Sequence, residues 1–185
     1  MCGIAGIINP GGERYRDHIG RMVAALKLRG PDGNGDFFSN NCALGHTRLK
    51  IIDISSGHQP MISDDRNLAV VFNGEIYNYI ELKDALVKEG HIFRSKTDSE
   101  VIVHGYEEWG TGVFEKLNGA FSVAIWDSHK ERLVLARDRV GKKPLFYMES
   151  GGRVIFASDI KSIMTCVNNL EIDDAAIDCY LTHIC

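Results

Sequence analysis

Residues 3–8, Gly-Ile-Ala-Gly-Ile-Ile, form an unbroken apolar run in which Gly and Ala are interleaved with isoleucine. The branched side chains suit extended backbone, and the small residues leave room for another backbone to come close. Such a run fits a strand buried on both faces. It stops at Asn9-Pro10-Gly11-Gly12, a strong turn signal.

The remaining pattern predicts short strands and flanking helices. Ile19, Met22, Val23 and Leu26 recur at helical spacing over residues 17–28, and Arg29-Gly30-Pro31-Asp32-Gly33 ends that helix. Strands are expected around 35–39 and 42–47, and at Leu68–Phe72, the last ending at Asn73-Gly74. Helices are expected at 79–89 and 98–109. A β-rich stretch follows, with strands at 121–126, 132–136, 144–148 and 154–157 and turns at 127–130 and 150–152. Helices at 159–165 and 173–184 complete the chain. Long βαβ alternation is absent, which argues for antiparallel sheets packed together with helices outside.

Composition narrows the function. The 185 residues suffice for one domain with a real core; 44% are hydrophobic and 25% charged, as in ordinary globular proteins. The net charge of −4 provides no basic footprint for nucleic acid. No apolar run reaches membrane-span length, and the start lacks the form of a signal peptide. The cysteines at 2, 42, 166, 179 and 185 are odd in number and fit neither a CxxC pair nor a zinc ribbon, so a reduced, cytoplasmic protein is expected. The seven histidines are scattered without an HExxH pattern, and no metal is expected in this segment.

Four segments carry candidate chemistry. With Met1 removed, Cys2 would hold a thiol and a free α-amine on one residue. An α-amine ordinarily titrates at about 7.7–8.0, so it can take the thiol proton and generate the reactive thiolate. In His46-Thr47-Arg48-Leu49, Arg48 offers a planar fork suited to a carboxylate. Asn73-Gly74 reads either as a hairpin turn or as a pair of oxyanion donors, one from the Asn73 amide and one from the Gly74 backbone. In Thr97-Asp98-Ser99-Glu100, Thr97 and Glu100 fit a capping box, and Asp98 could favour the helix start or bind a substrate ammonium.

Cys2-Gly3-Ile4-Ala5-Gly6 resembles the N-terminal cysteine of class II glutamine amidotransferases, members of the N-terminal-nucleophile hydrolases. The strings 29–33, 46–49, 72–78, 97–100 and 136–145 match in order, with wording closest to glutamine-hydrolysing asparagine synthetases. The resemblance covers essentially the whole chain. It implies an α+β fold, a four-layer αββα sandwich of two mainly antiparallel sheets.

By this resemblance, Cys2 attacks the side-chain amide carbon of L-glutamine, and Asn73 and Gly74 form the oxyanion hole. Arg48 pairs the α-carboxylate, Glu75 and Asp98 take the α-ammonium, and Leu49, Ile51 and Ile52 line the pocket. One arginine and two acids match the charges of free glutamine. The 29–33 loop and Arg137-Asp138-Arg139 are expected to support the site. His46 is discounted as the base because the α-amine already fills that role.

Residues 1–165 are thus expected to be the amidotransferase domain and 166–185 the start of a connection to a C-terminal synthetase domain. The Ser-Gly-Gly-Leu-Asp-Ser type of phosphate loop is missing, so the resemblance implies an excised domain or truncated product. No cofactor is expected in this segment; ATP and Mg belong to that absent domain. A homodimer is compatible with the resemblance. Rival readings are an amidotransferase serving another acceptor, such as a surface polysaccharide, and a non-catalytic regulatory or interaction domain.

Overall fold

The computed structural model describes residues 1–9, 15–50, 57–167 and 170–183. Its strands are β1 Gly3–Ile8, β2 Gly33–Phe38, β3 Cys42–Arg48, β4 Met61–Ile62, β5 Leu68–Ile76, β6 Gly119–Asp127, β7 Arg132–Arg137, β8 Phe146–Ser150 and β9 Arg153–Ala157. Its helices are α1 Tyr15–Ala25, α2 Tyr79–Lys88, α3 Glu100–Trp109, α4 Val113–Lys116, α5 Ile160–Met164 and α6 Asp174–His183.

One sheet has the order β2-β3-β1-β9-β8 and the other β4-β5-β6-β7. Every strand pair is antiparallel. The apolar run that opens the chain is the middle strand of the first sheet, with all six of its residues buried.

Strand periodicity sorts the side chains into three apolar layers. Ile4 and Ile8 point between the sheets, where they meet Leu44, Val71, Ala124, Trp126 and Phe156. Ala5 and Ile7 point the other way, with Ile19, Met22, Leu26 and Ile163 of the α1 and α5 side. From the second sheet, Val70, Phe72, Val123 and Ile125 pack with Leu82, Leu86, Ile102 and Tyr106 of α2 and α3. The layers run helix, sheet, sheet, helix, as the resemblance implied. Each fully buried Ile or Phe contributes about 1.5–3 kcal/mol. A Cβ on Gly6 would stand 2.4 Å from the Phe156 ring, which accounts for a glycine inside so apolar a strand.

Three expectations need correction. The first helix ends at Ala25, not 28, although Leu26 remains buried beyond it. Strand β5 does not end at Asn73-Gly74: it continues to Ile76, pairing Asn73 with Ser122 and Gly74 with Phe121. Long cross-strand pairing overrides the local turn preference of Asn-Gly, and the hairpin alternative falls. Helix α3 starts at Glu100 and has no capping box; the Glu100 carboxylate instead accepts the N–H groups of Arg94 and Ser95, each at 2.8 Å.

Candidate active site

The end of β1 where Cys2 sits faces a cavity of about 110 Å³. Cys2, Arg48, Leu49, Asn73, Gly74, Glu75 and Asp98 all line it. Seven of the nine residues singled out from the sequence therefore converge on one space, although they span almost a hundred positions of chain. The other two, Ile51 and Ile52, lie outside the described residues.

Cys2 is held by the segment that follows β3. The Leu49 N–H donates to Cys2 Sγ at 3.4 Å, and the thiol lies 3.8 Å from the Leu49 carbonyl. Arg29 Nε donates to the Cys2 carbonyl at 3.2 Å, fixing the backbone of the residue that carries the sulfur. The 29–33 loop also fixes residues 48–50. Asp32 N–H donates to the Arg48 carbonyl at 2.9 Å, and Lys50 N–H donates to Asp32 Oδ2 at 2.9 Å. Gly30 permits this contact, because a Cβ there would lie 2.4–2.5 Å from the Thr47–Arg48 peptide. The loop thus positions both Cys2 and its neighbour Leu49.

The open edge of β5 forms a second wall. Phe72 N–H donates to Gln59 Oε1 at 2.7 Å, and Ile76 N–H donates to Asp98 Oδ2 at 2.9 Å. Amides two residues apart share an edge of a strand, so the Gly74 N–H projects between these two, on the side away from β6. The Asn73 amide lies beside it, donating to Ser122 Oγ at 3.5 Å. A Cβ on Gly74 would stand 2.2 Å from the Ala120 carbonyl oxygen, so only glycine fits this register.

Arg48 and Asp98 are shielded from solvent, whereas Glu75 is exposed. Arg48, at the end of β3, is buried, and a Cβ on Gly57 would meet its Nη2 at 2.6 Å, so the Gly57 backbone rests on the guanidinium. Asp98 is buried as well. Burial chiefly, with the nearby Glu75 charge, pushes its carboxyl above the usual range against the Ile76 N–H bond. Two acids beside each other, one of them costly to ionise, form a natural seat for a cation.

His46 is not among the residues that line the cavity. It is 1% exposed, and burial, with the Arg48 charge, lowers its pKa to about 4. It is neutral near pH 7 and lends no positive charge to the thiol.

Sequence reasoning missed Gly57, Gln59, Thr97, Ser99 and Lys143, which also line the cavity. Lys143 lies within the 136–145 string, and its Nζ reaches Met1 Sδ at 3.4 Å. Gln59 carried no sequence signal, since its role depends on the open edge of β5. The Arg137-Asp138-Arg139 cluster ties down the turn leading to Lys143. Asp138 accepts from the N–H groups of Phe121, Lys142 and Lys143 at 3.2, 2.8 and 2.9 Å, while Arg137 donates to the Gly141 and Lys143 carbonyls.

A larger groove of about 450 Å³ lies between α1 and β2, and none of the candidate site residues lines it. No helix among the described residues is long and apolar enough to cross a membrane.

Comparison with known proteins identifies the family and the fold. Over 98% of its length the chain is 42% identical to asparagine synthetase [glutamine-hydrolyzing] 2 of Bacillus subtilis, and covers 25% of that protein. Over 88% of its length it is 40% identical to the asparagine synthetase [glutamine-hydrolyzing] of Sandersonia aurantiaca, covering 31% of it. The chain thus spans between a quarter and a third of these relatives. Its fold resembles that of the glutamine phosphoribosylpyrophosphate amidotransferase of B. subtilis, solved with ADP and GMP. The TM-score is 0.73 at 23% identity, over 89% of this chain and 43% of the other. The family profile described as glutamine amidotransferase domain matches residues 1–185. With a match along its whole length and relatives of this identity, the chain belongs to the glutamine amidotransferase domain family.

Proposed function

We propose that the protein hydrolyses L-glutamine to glutamate and ammonia through a thioester on Cys2. The observation that carries this reading is the convergence of Cys2, Arg48, Asn73, Gly74, Glu75 and Asp98 on one cavity. Arg48 pairs the glutamine α-carboxylate, and Glu75 with Asp98 receives the α-ammonium. This orientation extends the side-chain amide toward Cys2.

The α-amine freed by loss of Met1 takes the thiol proton. The sulfur bonds to the amide carbon, and the carbonyl oxygen takes the negative charge. The Gly74 N–H and the Asn73 amide stabilise that oxyanion. This is worth most where charge develops in a shielded site. The C–N bond breaks as the α-ammonium returns its proton to the leaving nitrogen, and ammonia departs. Water then adds to the thioester carbon with the same amine as base, the C–S bond breaks, and glutamate leaves.

Residues 1–165 are assigned to this amidotransferase domain and 166–185 to a connection toward a synthetase domain. The exposed Ile177, Tyr180 and Leu181 of α6 support that assignment. The names of the curated relatives support asparagine as the destination of the nitrogen; this reading assigns aspartate, ATP and Mg to the synthetase part.

Intact mass after treatment with a diazoketone analogue of glutamine tests the reading. The expected result is a single adduct on Met1-free protein, located at Cys2 and blocked by excess glutamine. Absence of an adduct on Met1-free protein would overturn it.

A further inference from the structure

Two histidines and three carboxylates meet where the turn after α2 packs against α3, and none of the five lines the Cys2 cavity. His91 follows α2, while His104 and Glu107 stand three residues apart on one face of α3. One ligand atom from each of His91, His104 and Glu107 lies within 4.8 Å of the other two. Glu107 Oε2 is 2.8 Å from His104 Nδ1 and 3.5 Å from His91 Nδ1. A tetrahedral dication with ligands at about 2.0–2.1 Å spaces them roughly 3.3–3.4 Å apart, so adjustments of well under one side-chain rotamer suffice.

The outer ring nitrogens strengthen the case. His91 Nε2 faces Glu108 Oε2 at 3.2 Å, and His104 Nε2 faces Glu100 Oε1 at 3.6 Å. A metal-bound imidazole characteristically gives its other N–H to a carboxylate, which fixes the tautomer and the ring plane. His91 has that partner in Glu108 already, and the Glu100 carboxylate stands just beyond hydrogen-bond distance of His104 Nε2, close enough to accept its N–H after a small shift. Phe93 packs edge-on to the His104 ring at 4.7 Å and restrains it further. The three inner side chains are 13–28% exposed, shielded yet reachable from solvent.

We propose that His91 Nδ1, His104 Nδ1 and Glu107 Oε2 bind a first-row dication of the zinc type. Two imidazoles and one carboxylate leave a fourth position for water. The ion displaces the proton shared by His104 Nδ1 and Glu107 Oε2, and that proton goes to solvent. Bound there, the ion joins the end of α2 to α3. The N-terminal residue of α3, Glu100, already holds the Arg94–Ser95 backbone leading to Asp98. No metal spacing is legible in the chain, because His104 stands thirteen positions after His91 and in a different element.

The test is titration with Zn²⁺ against a chromophoric chelator near neutral pH, with Co²⁺ as the spectroscopic probe. The protein is expected to take up one saturable equivalent and to give the visible bands of four-coordinate Co²⁺ without thiolate charge transfer. Both signals should vanish in His91→Gln/His104→Gln and in the single variant Glu107→Gln, checked for native circular dichroism. Glu108→Gln, which keeps all three ligands, should weaken binding by about 10- to 100-fold. Equal uptake by the protein and the double variant, a six-coordinate Co²⁺ spectrum, or thiolate charge transfer would each overturn the proposal.

Discussion

The backbone N–H of Ile76 donates to Asp98 Oδ2 at 2.9 Å, joining the last residue of β5 to the segment before α3. This bond sets the Asp98 carboxylate next to Glu75 and places both acids on the wall that carries Gly74. The amidotransferase reading makes that pair the seat of the substrate ammonium.

Asp98→Asn is therefore expected to raise the glutamine KM about 10- to 100-fold, the loss of one charged hydrogen bond, with a smaller change in kcat. Asn keeps an oxygen for the Ile76 N–H, so the fold should survive. Steady-state glutaminase kinetics check this, and an unchanged KM would remove Asp98 from the ammonium site.

The Asp98 carboxyl is raised chiefly by burial, so it protonates at a higher pH than an ordinary aspartate at about 3.9. Glutamine KM should rise as pH falls through that elevated range, and the rise should be absent in Asp98→Asn. The linked stability has the opposite sense. The contribution of a carboxyl with raised native pKa is complete below its unfolded pKa and is lost as pH rises through the native one. Unfolding of the ligand-free protein across that range should show the loss in the parent and not in the variant.

Cys2→Ser should lower glutamine hydrolysis by roughly 10⁴- to 10⁶-fold, as expected when a nucleophile that works with a base as one unit is removed. Protein that retains Met1 should be nearly as slow, because a peptide bond occupies the amine that would act as base. Rates measured on fractions separated by intact mass distinguish the two defects.

Gly74→Ala brings a Cβ to 2.2 Å from the Ala120 carbonyl oxygen, a backbone atom fixed in β6. The pair must separate, at a cost of about 1–3 kcal/mol in stability, and the Gly74 N–H shifts with it. Denaturant unfolding and kcat should both fall; a variant with native stability and full kcat would show that the register tolerates a side chain.

Asp138 accepts three backbone N–H groups, which together hold its carboxyl below the usual range although burial alone would raise it. Its contribution is present above the unfolded pKa and is lost as pH falls through the depressed native one. Asp138→Asn leaves at least one of those donors poorly matched and should cost about 1–3 kcal/mol near pH 7. The difference from the parent should shrink in strong acid. Urea unfolding across pH measures both effects.

The sequence alone settled what local pattern and ordered motifs can settle. The apolar run at 3–8 fitted a buried strand, and the strings around Cys2, Arg48, Asn73-Gly74 and Asp98 marked one family and its fold. The architecture and these candidate residues were legible because each depends on a few adjacent positions. Local preference misled where distant contacts outweighed it. Asn73-Gly74 reads as a turn, yet β6 pairs with it residue for residue and keeps it extended. Thr97 and Glu100 read as a capping box, yet the Glu100 carboxylate is taken by Arg94 and Ser95. Gln59 and Gly57 have no sequence signature, and the matching string around Lys143 does not reveal its place at the cavity, because these roles exist only once the open edge of β5, the Arg48 guanidinium and the 138–143 turn lie together. His91 and His104 belong to the same class. Residue spacing shows which side chains share an element, and packing decides which elements share a space.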